Sequence, residues 1–148
     1  MTDSTTNRGS MTLESELSCV DAVEAKAEDL AREAGFDEDT SSQIAMVTRE
    51  AVINAILHGN KKDPAKQVHV SFELNDEALK ITIADEGPGL DPDSVPDPLA
   101  PENILRGSGR GIFLIRTFMD ELGFRRLESG TELTLIKYRK SNKSMGIH

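Results

Sequence analysis

The run Glu50-Ala51-Val52-Ile53-Asn54-Ala55-Ile56-Leu57-His58-Gly59 sets three polar side chains, Glu50, Asn54 and His58, four residues apart in an otherwise apolar segment. At 3.6 residues per turn this spacing lays a carboxylate, an amide and an imidazole along one helical ridge, drifting about 40° per step. A solvent-facing stripe of an amphipathic helix would have the same spacing. The apolar flanks suit equally a buried helix, where polar groups are kept for a partner or a use, and on this helix alone both readings stand.

The pattern continues outward from this helix in both directions. The helix itself is expected to begin near Asp37 to Ser41, to turn Ile44, Val47, Ala51 and Ala55 inward, and to stop at Gly59. Before it, Val20, Val23, Ala27, Leu30 and Ala34 recur at helical spacing. Ser18 with Asp21 resembles a capping box there, and Gly35 stands where a left-handed C-terminal cap is wanted. Leu13 and Leu17 suggest a first strand. Beyond the helix, Val68, Val70, Phe72 and Leu74 alternate with polar residues, as do Leu79, Ile81 and Ile83 after the turn at Asn75-Asp76-Glu77, predicting two antiparallel strands.

From Glu86 to Arg110 the chain holds every proline except Pro64, and a long loop is expected; such loops in compact domains are usually functional. Ile112, Ile115, Met119 and Leu122 then predict a third helix closed by Gly123. Leu127 and the set Leu133, Leu135 and Tyr138 predict two closing strands around Ser129-Gly130. The class is α+β: a two-layer sandwich, with three main helices on one face of a mostly antiparallel, mixed sheet.

The 148 residues suit one domain. Residues 1–10 are expected to be disordered, 11–140 to form the domain and 141–148 to be a flexible tail. Seventeen basic against 26 acidic residues give a net charge of −9, with no basic stripe to follow a phosphate backbone, so direct nucleic-acid binding is disfavoured. The lone Cys19 excludes an internal disulfide, no signal-peptide pattern opens the chain, and the cytoplasm is the expected compartment. No apolar run reaches the ~20 residues of a membrane-spanning helix. His58, His69 and His148 lack the spacing of a zinc site.

Two further motifs carry chemistry. Asp85-Glu86-Gly87-Pro88-Gly89 follows the second of the alternating strands. A carboxylate held there can accept a hydrogen bond from an exocyclic amine, and glycines let backbone approach a flat ligand; alone, the motif is also an ordinary turn. Gly107-Ser108-Gly109-Arg110-Gly111 opens the third helix, where free N–H groups, the helix dipole and a guanidinium suit an anion. It is neither a P-loop nor a dinucleotide fingerprint, since neither Gly-Lys-Ser/Thr nor a preceding strand accompanies it.

In this order the three motifs resemble the N, G1 and G2 boxes of the GHKL ATPases, across about Leu13 to Tyr138. The resemblance implies the Bergerat fold, with the loop between the last two boxes acting as a lid over ATP. Asp97-Pro98, Pro101-Glu102-Asn103-Ile104-Leu105, Ser108-Gly109-Arg110-Gly111 and Arg116-x-Phe118-Met119-Asp120-Glu121 further look like the RsbW-type anti-sigma factor serine kinases. That likeness implies a sigma factor and a STAS-type anti-anti-sigma protein as partners, a homodimer, and phosphorylation of a partner serine. It implies ATP and Mg²⁺ as cofactors, with Asn54 holding the metal and Glu50 acting as general base. By the same carry-over Asp85 reads adenine, Gly87 and Gly89 line the base pocket, and Gly107, Ser108, Gly109, Arg110 and Gly111 hold phosphate. His58 either orients the phosphate region or caps the helix end. Arg49 and Arg106 are candidates for partner or phosphate contacts outside the catalytic set. The alternative is an ATP-binding sequestration module without kinase activity, against which the presence of Glu50 argues. A histidine-kinase catalytic domain shares the boxes and is the lesser rival.

Overall fold

The structure, a computed structural model, describes residues 7–14, 16–60, 63, 65–87 and 109–139. Five strands form one sheet: β1 (Asn7–Glu14), β2 (Gln67–Leu74), β3 (Ala78–Ala84), β4 (Glu121–Arg126) and β5 (Thr131–Tyr138), in the order β1-β2-β3-β5-β4. Every neighbouring pair among the described residues is antiparallel, so no parallel pairing makes the sheet mixed there. Three helices, α1 (Val20–Glu33), α2 (Glu38–Asn54) and α3 (Gly109–Phe118), complete the α+β sandwich.

Alternation decides which sheet face is covered. Val68, Val70, Phe72 and Leu74 of β2 stand in register with Leu79, Ile81 and Ile83 of β3, which meet Leu133 and Leu135 of β5. All are buried and belong to one cluster with Val20, Val23, Ala27 and Leu30 of α1, Ile44, Val47 and Val52 of α2 and Ile115 of α3. The opposite face carries Ser10, Ser71, Thr82 and Thr134 in one row across β1, β2, β3 and β5. Helices on the apolar face and short polar side chains on the other are the two-layer arrangement that period-two patterning produces.

Helix ends follow local chemistry, with one exception to expectation. Asp37 caps α2 by accepting a 2.7 Å bond from the Thr40 N–H. Gly35, at φ +96°, closes α1: its N–H donates to Arg32 O and that of Phe36 to Ala31 O, a Schellman pair. The expected capping box at Ser18 and Asp21 does not form. A 3₁₀ turn, Leu17–Cys19, runs straight into α1 and supplies its first acceptors, while the Ser18 hydroxyl donates to Glu16 instead. Across the helix pair, Arg49 of α2 donates to Asp21 at 2.8 Å and Glu24 at 2.9 Å on α1, and these carboxylates raise its pKa. Arg49 thus has a structural role.

Three boundaries differ from the sequence reading. β1 starts at Asn7, inside the segment expected to be disordered, because backbone pairing with β2 from Asn7↔Leu74 to Glu14↔Gln67 orders it with little apolar content. The third helix ends at Phe118 rather than reaching Leu122. The Asp120 N–H donates to Ile136 O and Leu122 and Gly123 join β4, opposite Leu135 and Thr134. Helix α2 does not end at Gly59 as an α-helix: Ala55–Gly59 forms a π turn, sealed by the Asn60 N–H on Ala55 O. The loop and lid expected between Glu86 and Arg110 fall largely outside the described residues, as do residues 1–6 and the tail 141–148. No helix among the described residues is long and apolar enough to cross a membrane.

Ile81, fully buried between Phe72 and Leu135 in the centre of the sheet, tests this core. Ile81→Ala should lower unfolding free energy in urea by about 2–5 kcal/mol. Lys80→Ala, on the other face, should change it by less than about 0.5 kcal/mol.

Candidate functional site

Helix α2 supplies a polar pair from within the core. Glu50 is 8% exposed and Asn54 4%, among neighbours Ala51, Val52, Ala55 and Ile56 that are all buried. Glu50 and Asn54, two of the three residues of the ridge read from the sequence, therefore lie inside the fold and not on a solvent-facing stripe. Among the described residues the buried Nδ2 of Asn54 has no hydrogen-bond partner. A buried amide group without a partner costs about 1–3 kcal/mol, a cost that a ligand bound at this point would offset. An amide turned end for end keeps its shape and presents Oδ1 at the same point, a hard oxygen of the kind Mg²⁺ accepts. The site fits such an ion on this ground. His58 lies in the π turn after Asn54, and its side chain falls outside the described residues.

Asp85 stands just past β3 and is 6% exposed. Its carboxylate accepts from the Thr131 N–H at 3.2 Å, the Thr131 hydroxyl at 2.8 Å and the Gly87 N–H at 3.1 Å. The Asp85 N–H donates to Thr131 O at 2.9 Å, extending the β3–β5 pairing by one rung. Three donors fix the carboxylate's orientation and offset the cost of burying it. Gly130 allows this closeness. It sits at φ +111°, and a Cβ there would meet Asp85 O at 2.0 Å, far inside contact distance.

Thr131 carries no signal in the sequence, and Gly130 is marked there only as half of a turn. The Ser129-Gly130 turn was legible, and a hairpin does form there with the Leu127 N–H on Gly130 O. What joins the turn to Asp85, 46 residues away, is strand register, which no local signal carries.

Gly109, Arg110 and Gly111 form the opening turn of α3, though nothing is described of their side chains. Gly89, Gly107, Ser108 and Arg106 lie outside the described residues. Helix α2 packs on both α3 and β3, so the elements that carry the three motifs adjoin one another. A buried carboxylate at a strand end, a buried acid–amide pair and a glycine-opened helix end can together hold a base, a metal and phosphates.

Beside Asp85, Glu86 Oε2 lies 2.6 Å from His69 Nε2, and Oε1 accepts from the Gln67 N–H at 3.1 Å. The His69 bond chiefly, and the Gln67 N–H second, hold the Glu86 carboxyl below its ordinary range. Because the folded value is depressed, the contact contributes fully above the ordinary carboxylate range and is lost as pH falls through the lowered value. A ¹³C NMR titration of Glu86 should show a midpoint below that of the unfolded chain, and His69→Ala should return it toward that value. Gly130→Ala should destabilise the fold by more than about 1 kcal/mol in thermal unfolding, since the added methyl needs both a left-handed φ and displaced backbone. Thr131→Val, removing one hydroxyl from the buried carboxylate, should cost about 1–3 kcal/mol in the same measurement.

Comparison with known proteins agrees with this architecture. The family model described as "Histidine kinase-like ATPase domain" matches residues 13–137. A "Serine-protein kinase RsbW" of Staphylococcus epidermidis is 38% identical over 117 residues, spanning 74% of this chain and 72% of that protein. An "Anti-sigma F factor" of Anoxybacillus flavithermus is 34% identical over 112 residues, spanning 72% of this chain and 75% of that one. The histidine kinase domain of the Erythrobacter litoralis EL346 blue-light activated histidine kinase superposes with a TM-score of 0.53 at 19% identity, covering 85% of this chain and 64% of that structure, and so shares the fold. With its polar pair on α2, its buried Asp85 and its glycine-opened α3, the chain belongs to the histidine kinase-like ATPase family, in the branch that holds the RsbW-type serine-protein kinases and anti-sigma F factors.

Proposed function

We propose that this chain is an ATP-dependent protein serine kinase and anti-sigma factor, which phosphorylates a STAS-type anti-anti-sigma partner and sequesters a sigma factor. The observation that carries the reading is the buried Glu50–Asn54 pair, its amide nitrogen without a partner among the described residues, in a chain 38% identical to a protein named as a serine-protein kinase. The names of the relatives support both halves of the activity. A homodimer belongs to the same reading on the strength of the resemblance, and a cytoplasmic location on the lone Cys19 and the lack of a signal-peptide pattern.

In this mechanism Asp85 accepts a hydrogen bond from the adenine amine, with its charge held in place by Thr131 and Gly87. Gly87 and Gly89 line the base pocket. Backbone N–H groups of Gly107, Ser108, Gly109 and Gly111, with the Arg110 guanidinium, hold the phosphates at the start of α3. Asn54 is the residue that would hold Mg²⁺, which when bound neutralises phosphate charge. His58 is assigned to orienting the phosphate region. The partner's serine oxygen bonds to the γ-phosphorus as the bond to the ADP oxygen breaks, and Glu50 takes the hydroxyl proton. Its place on α2, one helical turn from Asn54 and largely shielded from bulk water, suits Glu50 to this role.

The test incubates the full chain with Mg-ATP and STAS-type proteins of the same genome, reading serine phosphate by mass spectrometry. Wild-type protein should label one partner. Glu50→Gln should bind ATP with affinity within about threefold of wild type yet transfer phosphate at least about a hundredfold more slowly. Asn54→Ala should weaken Mg²⁺-dependent ATP binding as well as transfer. Should the Glu50→Gln protein phosphorylate its partner at the wild-type rate, Glu50 is not the base. Wild-type ATP binding with no labelled partner would favour the sequestration module.

A further inference from the structure

The β2–β3 ladder ends with His69 opposite Ala84. Carried two residues further, the same register would set Gln67 opposite Glu86, yet the two backbones do not bond each other there. The side chain of Asn60 stands between them: Oδ1 accepts from the Glu86 N–H at 2.8 Å and Nδ2 donates to Gln67 O at 3.0 Å. The Gln67 N–H, which a ladder would have used, goes to the Glu86 carboxylate. One side-chain amide thus stands, as a wedge, where a backbone rung between β2 and β3 would be. On the other side of the same strand, the β3–β5 pairing continues through Asp85 to Thr131. The wedge therefore acts at the residue that follows the proposed adenine acid, and on one flank only.

Asn60 is fixed from the α2 side. It follows the π turn, its N–H donates to Ala55 O at 2.8 Å, its carbonyl accepts from the Asp63 N–H at 3.0 Å, and it is 2% exposed. The extra residue of the π turn rotates the chain end relative to a regular α-helix. Asn60 lies six positions after Asn54, and helical backbone bonds span the interval. A displacement of the phosphate-side pair would be passed through Asn60 to the backbone at Glu86.

We propose that Asn60 is a positioning residue for nucleotide recognition: it fixes the distance and orientation of Asp85 relative to Glu50 and Asn54, and so sets selectivity for adenine over guanine. The inference rests on the nucleotide reading above. Adenine offers an exocyclic amine to a carboxylate where guanine offers a carbonyl, so discrimination depends on holding Asp85 in place and not merely charged. A buried asparagine that only stabilised the fold would change melting temperature and leave the ratio of ATP to GTP affinity untouched.

The experiment measures Mg-ATP and Mg-GTP affinities of the full chain by isothermal titration calorimetry, alongside thermal melting. Wild type should prefer ATP. Asn60→Ala should weaken ATP binding about tenfold and GTP binding less than about twofold, reducing the selectivity ratio about fivefold or more. Asn60→Asp keeps the acceptor for the Glu86 N–H while losing the donor to Gln67 O. It should fall between the two, and it carries the test if Asn60→Ala does not fold. Thr48→Val removes another buried bond of α2, the 2.8 Å hydroxyl contact to Ile44 O, and should lower the melting temperature without altering the ratio. A folded Asn60→Ala or Asn60→Asp protein with the wild-type ratio overturns the positioning role and leaves the nucleotide site standing. Absence of ATP binding in folded wild type overturns both.

Discussion

The pairing of Asp85 with Thr131 is the contact around which the rest of the structure is arranged. It extends the β3–β5 ladder at the end of the sheet, brings a backbone N–H and a hydroxyl to one carboxylate, and needs Gly130 at positive φ to let the chains approach. Without those donors, polar atoms this buried would be left unsatisfied at a cost in stability. With them, the carboxylate is oriented by the sheet itself, which is stiffer than any loop.

Helix α2 answers this fixed point from the other layer. Its apolar residues insert among those of α1, α3 and the sheet, so its rotation about its own axis is set by core packing. Glu50 and Asn54 inherit that precision because they ride on the same helix, at the cost of burying two polar side chains. A buried amide nitrogen with no partner among the described residues is poor for stability and useful for a ligand, the trade expected of a functional site. The Arg49 link to Asp21 and Glu24 holds α1 against α2 at the surface, where ion pairs add modestly to what packing already fixes.

Much of this was legible because it is periodic or stereochemical. Strands β2 and β3 were readable from alternation, α1 from the spacing of its buried residues, and the end of α1 from Gly35, whose positive φ a side chain would resist. Leu122 is one of the misplaced boundaries. Its spacing from Ile115 and Met119 suits a helix, and only the pairing of β4 with β5 makes it a strand residue. β1 was underestimated for a related reason: its order comes from the backbone of β2, and backbone hydrogen bonds have no composition signature. The Ser18 cap failed because a 3₁₀ turn had already satisfied the first donors of α1.

By itself the sequence determined the chemical inventory and its order along the chain: Glu50 and Asn54 one helical turn apart, Asp85 at a strand end, glycines before a helix. Those are local facts, fixed by backbone geometry over a few residues. Tertiary structure alone decided which groups serve that inventory. Thr131 and Gly130 reach Asp85 across 46 and 45 positions of chain, and Asn60 reaches Glu86 across 26, through strand register and a π turn. Hydrogen bonds between residues so far apart depend on how layers pack and strands align, and no short-range pattern encodes either.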